Sequence, residues 1–365
     1  MTDKTMHKTQ TTLIDTTPIN HGGSIDRAAQ KYGIAVENWL DLSTGINPLG
    51  YPVPQIAPHH WQRLPLGNEL AALKNAASQY YQLPSPDHLV CTAGTQSLIQ
   101  TIPFWLRDHS HISSVHILGP TYAEHGRCWQ RAGHACKHHN ILAMERLDMA
   151  RSLFETGTSG TVVILVNPNN PDGALIPASD IADLSNLADQ SNNWLIVDEA
   201  FIDCEPDQSV CPNINKMPKT LVLRSFGKFF GLAGIRIGCV VLSPALARDL
   251  EERIGPWAIP GPSMEVATLA FADHDWQQAT RDRLSKDRDR LEALVTDHSP
   301  LKCVGATPLF LLFDGQKAHN IANHLARKGI LVRLFDHDET KVRFGLPGTK
   351  AEWDRLEVAF QALAI

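Results

Sequence analysis

Short, near-continuous apolar runs recur through the middle of the chain: Leu89-Val90-Cys91, Val115–Leu118, Val162–Val166, Leu195–Val197, Leu221–Leu223 and Ile237–Val241. Runs without polar alternation belong to strands covered on both faces, so they predict a buried sheet. Helical stretches separate several of them, beginning with Thr95 to Trp105, and this succession predicts right-handed crossovers in a mostly parallel sheet. The flanks read differently. Residues 1–20 are polar and aperiodic, as in an extended or mobile arm, and the turn His21-Gly22-Gly23-Ser24 leads into a short helix. Asp41 to Gly50 is turn-rich, and the prolines from Pro48 to Pro65 predict a long extended crossing before a helix over Glu69 to Tyr81.

The last third is more highly charged. Leu284, Leu291 and Leu294 recur at helical offsets within Arg283 to Leu294. A strand at Leu309–Phe313, a helix at Ala318–Lys328, a strand at Lys341–Phe344 and a helix at Ala351–Ala362 follow. The expected organisation is an N-terminal arm and small-domain segment over 1–50, a large α/β domain over 51–255, and a smaller α+β domain over 256–365 that the N-terminal crossing completes. There is no internal repeat or low-complexity tract.

Composition supports this picture and removes some function classes. A chain of 365 residues, 43% hydrophobic and 20% charged, can bury the core of a large and a small domain. The net charge of −6 provides no footprint for nucleic acid, and the three histidines and one lysine within His134–His139 are a local patch. No apolar stretch approaches the ~20 residues needed to span a bilayer. The start, Met1-Thr2-Asp3-Lys4, lacks a secretory apolar core. Seven cysteines without a CxxC pair fit a reducing compartment and argue against a disulfide framework. A cytoplasmic protein without membrane or nucleic-acid partners is expected. Cys91, Cys128 and Cys239 read as buried thiols, and no metal is expected.

The candidate chemistry lies where strands end. Trp194–Val197 runs into Asp198-Glu199, and Leu223 to Gly231 holds Lys228 on a glycine-punctuated turn. A lysine amine can form a Schiff base with an aldehyde cofactor, and a nearby carboxylate can keep a ring nitrogen protonated. Taken singly, each is equally a solvated strand-end charge. Asn167-Pro168-Asn169-Asn170-Pro171-Asp172-Gly173 follows the strongest strand and places amides where open α/β sheets bind ligands, although Asn, Pro and Gly also make ordinary turns. Gly94-Thr95-Gln96-Ser97 joins a strand to a helix and reads either as a helix cap or as a phosphate-binding turn. Ser225 and Arg236 flank Lys228 and are candidates for the same phosphate.

The order and separation of these segments, with Gly234-Ile235-Arg236-Ile237-Gly238 and Val342-Arg343-Phe344, resemble the fold-type I pyridoxal-phosphate enzymes of the class I/II aminotransferase superfamily, from about Asp41 to Leu346. The resemblance implies pyridoxal 5′-phosphate as cofactor, joined to Lys228. It implies Asp198 at the pyridine nitrogen, Asn170 at O3′, and Tyr122 stacked on the ring. Gly94, Thr95, Gln96, Ser225 and Arg236 would surround the phosphate, and Arg343 would clamp a substrate α-carboxylate. A homodimer is implied as well. Two positions depart from the common pattern: Phe201 stands where many members carry tyrosine, and Arg63-Leu64-Pro65 matches an Arg-Tyr-Pro segment.

Within the superfamily, His21-Gly22-Gly23 and Asp41-Leu42-Ser43-Thr44-Gly45-Ile46-Asn47-Pro48-Leu49-Gly50 resemble the threonine-phosphate decarboxylase branch of cobalamin synthesis, with Gly45 replacing the common Asn. This implies L-threonine O-3-phosphate as substrate, with His21, Gly22, Asn47, Asn170 and Arg343 as candidate substrate contacts. The histidinol-phosphate aminotransferases are the nearest alternative branch.

Overall fold

The computed structural model describes residues 22–336 and 338–363. His21 and the polar arm before it lie outside the described residues. In chain order the strands are β1 (Leu40–Leu42), β2 (Leu89–Thr92), β3 (Ser114–Gly119), β4 (Cys136–Asn140), β5 (Thr161–Val166), β6 (Trp194–Asp198), β7 (Thr220–Ser225), β8 (Gly238–Val241), β9 (Lys302–Thr307), β10 (Phe310–Asp314), β11 (Ile330–Phe335) and β12 (Asp338–Gly345).

Seven strands form one sheet in the order β2-β8-β7-β6-β5-β3-β4. Neighbours from β7 to β4 pair in parallel, and β8 runs antiparallel to both β2 and β7. All six residues of β5 are buried, as the unbroken run Val162–Val166 requires. Successive side chains leave opposite faces: Val163 and Leu165 join one apolar cluster, Val162 and Ile164 another. Helices cover both faces, so the fold class is α/β with a mostly parallel large sheet and a smaller α+β layer.

The reversal at β8 follows from its connection. Residues 226–237, which separate β7 from β8, hold only the short turns Phe226–Phe229 and Ala233–Ile235 and no crossover helix, and the chain turns back beside its neighbour. Strand β4 carries the histidine patch, and it pairs in parallel with β3 at the sheet edge. Its largely open face accounts for the missing apolar run.

The second sheet has the order β1-β11-β12-β10-β9. Its strands are antiparallel except for β1, which pairs in parallel with β11 through Leu40 opposite Ile330 and Leu42 opposite Val332. Residues near the N-terminus therefore build an edge of the small sheet. The proline-rich crossing then runs as coil, interrupted by the single turn His59–Gln62, into the helix Gly67–Tyr80. That helix packs on the helix Gly261–Ala272. The helix His274–His298 begins with Asp273, which accepts the Trp276 N–H at 3.0 Å, and buries Leu284, Leu291 and Val295. No described helix is long and apolar enough to cross a membrane.

Candidate active site

The ends of β5, β6 and β7 open into one pocket, lined by Asn170, Asp198, Ser225, Lys228 and Arg236 together with Gly94, Thr95, Gln96, Tyr122 and Phe201. Sequence neighbours separated by more than a hundred positions thus meet because parallel strands deliver their C-terminal ends to one edge.

Asp198 closes β6 and is almost wholly buried. Its Oδ2 lies 2.8 Å from His125 Nε2, and its Oδ1 accepts the Ala200 N–H at 3.1 Å. An ionised carboxylate accepts only, so Nε2 of His125 is the donor. Lys228 sits in the one-turn helix Phe226–Phe229 directly after β7. Burial is the largest influence on its amine, and the Arg343 and Arg236 charges act in the same sense; together they bring it from 10.5 down to about 8 against the pull of Asp198. The Phe201 ring lies 5.7 Å from Nζ and brings no hydroxyl to that wall of the pocket.

The crossing segment fastens the lysine turn. Asn47 N–H donates to the Lys228 carbonyl, and its Nδ2 donates to the Phe229 carbonyl, both at 2.9 Å. Its Oδ1 accepts from Leu49 N–H at 3.1 Å and from Arg283 Nη2 at 2.6 Å. The sequence reading made Asn47 a substrate contact; the structure instead buries its carboxamide in bonds that position the Lys228 turn. Gly22 is exposed, and the adjoining Gly23 N–H donates to Ser43 Oγ at 2.7 Å.

Around the anionic end of the pocket, Gly94 takes φ +86° and lies against Arg236, where a Cβ would meet Nη2 at 2.5 Å. The positive φ favours glycine here, and the missing side chain lets the Arg236 guanidinium close on the turn. Thr95 starts the helix Thr95–His109, whose first N–H groups face outward from its N-terminus. The Thr95 hydroxyl donates to the Arg224 carbonyl at 3.0 Å, which leaves its backbone N–H as the donor suited to an anion. The Gln96 carboxamide is also engaged: Oε1 accepts from Tyr122 at 3.1 Å and Nε2 donates to Glu124 at 3.2 Å. Gln96 thereby orients Tyr122. Burial, then the nearby Glu124 and Asp198 charges, push the Tyr122 phenol up to about 12, so it stays protonated.

Of the three asparagines in the loop after β5, only Asn170 lines the pocket. Asn167 exchanges both of its amide bonds with the Ile176 backbone, and Asn169 donates to Pro120 and Asp172. Asn170 Oδ1 accepts from Arg343 Nη1, which turns its NH2 group away from the arginine. Arg343 is buried, donates from Nη2 to the Ser43 carbonyl at 2.8 Å, and has a buried Nε without a protein acceptor among the described residues. Burial is the main cause, with Arg333 second, that brings its guanidinium down to about 9. Arg333 stands directly opposite Arg343 across the β11–β12 pair. Asp41 acts on Arg343 in the opposite sense, and Arg333 lines a separate cleft with Gly22 and Ser43.

The donor set fits pyridoxal phosphate: a lysine amine with a lowered pKa, a buried carboxylate with its own partner, an amide NH2, and a cradle of glycine, helix N-terminus and arginine. His125 and Arg333 were not found from sequence. His125 follows Tyr122 by three positions but has no motif of its own, whereas Arg333 needed β11 to be recognised and registered against β12.

The family model for aminotransferase class I and II matches residues 55–359, and the chain belongs to that family. It is 37% identical over 342 residues to a threonine-phosphate decarboxylase of Pseudomonas aeruginosa, covering 93% of this chain and 97% of that protein. It is 36% identical over 352 residues to a threonine-phosphate decarboxylase of a Sinorhizobium species, covering 95% and 99%. Among solved structures, a histidinol-phosphate aminotransferase from Sinorhizobium meliloti in complex with pyridoxal-5′-phosphate aligns with TM-score 0.76 at 20% identity over 99% of this chain and 100% of that one. An L-threonine-O-3-phosphate decarboxylase from Porphyromonas gingivalis aligns with TM-score 0.68 at 18% identity over 88% and 98%. At these identities the two structures establish the fold.

Proposed function

We propose that the protein decarboxylates L-threonine O-3-phosphate to (R)-1-amino-2-propanol O-2-phosphate, as a cytoplasmic, pyridoxal-phosphate-dependent homodimer serving cobalamin synthesis. The observation that carries this reading is the 36–37% identity, sustained over nearly the whole of both proteins, to two threonine-phosphate decarboxylases. The likeness to a histidinol-phosphate aminotransferase fold does not weigh against it, because two branches of one family share that fold.

When bound, pyridoxal phosphate supplies an electron sink for the pair released when a bond to Cα breaks. The chain's own groups prepare that chemistry. Lys228 offers an amine that is partly unprotonated near neutral pH. Asp198, held by His125, would keep a proton on the ring nitrogen, and the Asn170 NH2, left free by the Arg343 bond to its Oδ1, would serve the phenolate oxygen. The N–H groups at Thr95, the Ser225 hydroxyl and Arg236 would hold the cofactor phosphate, with Tyr122 on the same pocket wall beside the ring. Arg343, bonded to Asn170, would bind the substrate carboxylate.

The deciding experiment is product analysis. L-threonine O-3-phosphate should yield CO2 and aminopropanol phosphate without an added keto acid, while histidinol phosphate with 2-oxoglutarate yields little glutamate. Rapid glutamate formation without CO2 release would replace this reading with an aminotransferase.

A further inference from the structure

The turn His59–Gln62 and the start of the helix Gly67–Tyr80 bring together three side chains that take no part in the pocket described above. The ligand atoms of His59, His60 and Glu69 all lie within 4.8 Å of one another. His59 is exposed and the other two are half-buried or deeper. We propose that these residues form a binding site for a divalent transition metal of the zinc class.

Two observations point to a ligand here. The His60 side chain is only 9% exposed, and its Nδ1 is buried without a hydrogen-bond partner. A buried ring nitrogen left without a partner carries a cost unless something occupies it. That nitrogen is 3.3 Å from Glu69 Oε1, yet the pair does not meet hydrogen-bond geometry. Zinc binds imidazole nitrogen at about 2.0–2.1 Å and carboxylate oxygen at about 2.0–2.2 Å, so two such ligands at a tetrahedral angle stand about 3.4 Å apart. The His60–Glu69 separation is that of two ligands sharing one ion.

The outer groups are arranged in the same sense. Glu265 Oε2 lies 3.8 Å from the opposite ring nitrogen, Nε2 of His60. A metal on Nδ1 would leave the ring proton on Nε2, on the side of this carboxylate, which at 3.8 Å stands just beyond hydrogen-bond distance. Glu69 is fixed by Arg63, whose Nη2 donates to Oε1 at 2.6 Å and Nη1 to Oε2 at 3.0 Å, and by the Leu66 N–H at 2.8 Å. Two imidazoles and one carboxylate suit zinc, cobalt or nickel and not magnesium, which prefers all-oxygen shells. The fourth position falls to solvent.

Holoenzyme freed of metal with a chelator should bind one zinc ion per chain by isothermal titration, and cobalt should give the intense visible absorption of a four-coordinate ion. His59→Ala removes an exposed side chain and should weaken zinc binding at least tenfold, with an unchanged thermal melt of the metal-free protein. His60→Ala should abolish binding. Absence of zinc binding to the unaltered protein, or an affinity unchanged in the His59 and His60 variants, would overturn the site.

Discussion

Nε2 of His125 lies 2.8 Å from Oδ2 of Asp198, and both side chains are buried. The imidazole holds the carboxylate at one oxygen while the Ala200 N–H holds the other, so Asp198 is oriented before any ligand arrives. Asp198→Asn preserves volume but removes the charge, and turnover should fall by about 10²–10⁴-fold. His125→Asn leaves the carboxylate but loosens it. A lost charge-assisted bond is worth about 1.5–3 kcal/mol, or roughly 10–100-fold in rate. Steady-state kinetics and the absorbance of the bound cofactor across pH check both, and full turnover in either variant would contradict the assignment.

Lys228 makes a prediction about titration. Its amine is brought to about 8 by burial, Arg343 and Arg236, and Asp198 opposes them. In the apoprotein, pulse acetylation followed by peptide mass analysis should show Lys228 gaining reactivity around pH 8, while exposed lysines do so above pH 10. Arg343→Gln removes a positive charge that disfavours the ammonium, so the midpoint should rise. Asp198→Asn removes the charge that favours it, so the midpoint should fall. Identical profiles in all three proteins would show that neither charge reaches the amine.

The parts of this site legible in the sequence were those carried by local punctuation. The apolar runs Val162–Val166 and Trp194–Val197 end at Asn167 and Asp198, and the glycines around Lys228 mark its turn. The spatial partners were not legible. His125 reaches Asp198 only because the helix Glu124–Arg131, packed on the helix Thr95–His109 and on β3 and β4, carries it to the end of β6, and nothing in its local sequence distinguishes it from the histidines of β4. Asn47 has the residue type of a ligand, but its carboxamide is consumed by Phe229, Leu49 and Arg283, contacts spread over more than two hundred positions. Strand β4 escaped notice because an edge strand need not be apolar.

The proposed homodimer needs an exposed apolar surface to pair through. Trp61 is 69% exposed, Leu64 60% and Trp257 61%, and Leu66 and Trp257 line one groove with Met264. Large apolar side chains gathered in this way mark an interaction surface. Light scattering at assay concentration should give about twice the 40.3 kDa chain mass. Trp61→Glu combined with Leu64→Lys should shift the population toward monomer and reduce turnover. A monomer of full activity would contradict the proposed homodimer.

Two departures, Phe201 from the superfamily pattern and Gly45 from that of the branch, meet in space. Phe201 and Phe310 pack edge to face with centroids 5.0 Å apart. An ideal Cβ at Gly45 would lie 2.8 Å from Phe310 Cδ1 and 2.9 Å from Phe201 Cε1. The glycine is therefore matched to the pair of rings, and a side chain there needs a smaller neighbour. Gly45→Ala alone should destabilise the protein by about 1–3 kcal/mol through overpacking. Phe201→Leu alone should also destabilise, by leaving space beside Phe310. In the double variant the added methyl occupies part of that space, so the combined loss should be smaller than the sum by at least about 0.5 kcal/mol. Urea unfolding of the four proteins measures this coupling. Strict additivity would mean that Gly45 and Phe201 were set independently, and that the absence of a hydroxyl at Phe201 has no packing cause at Gly45.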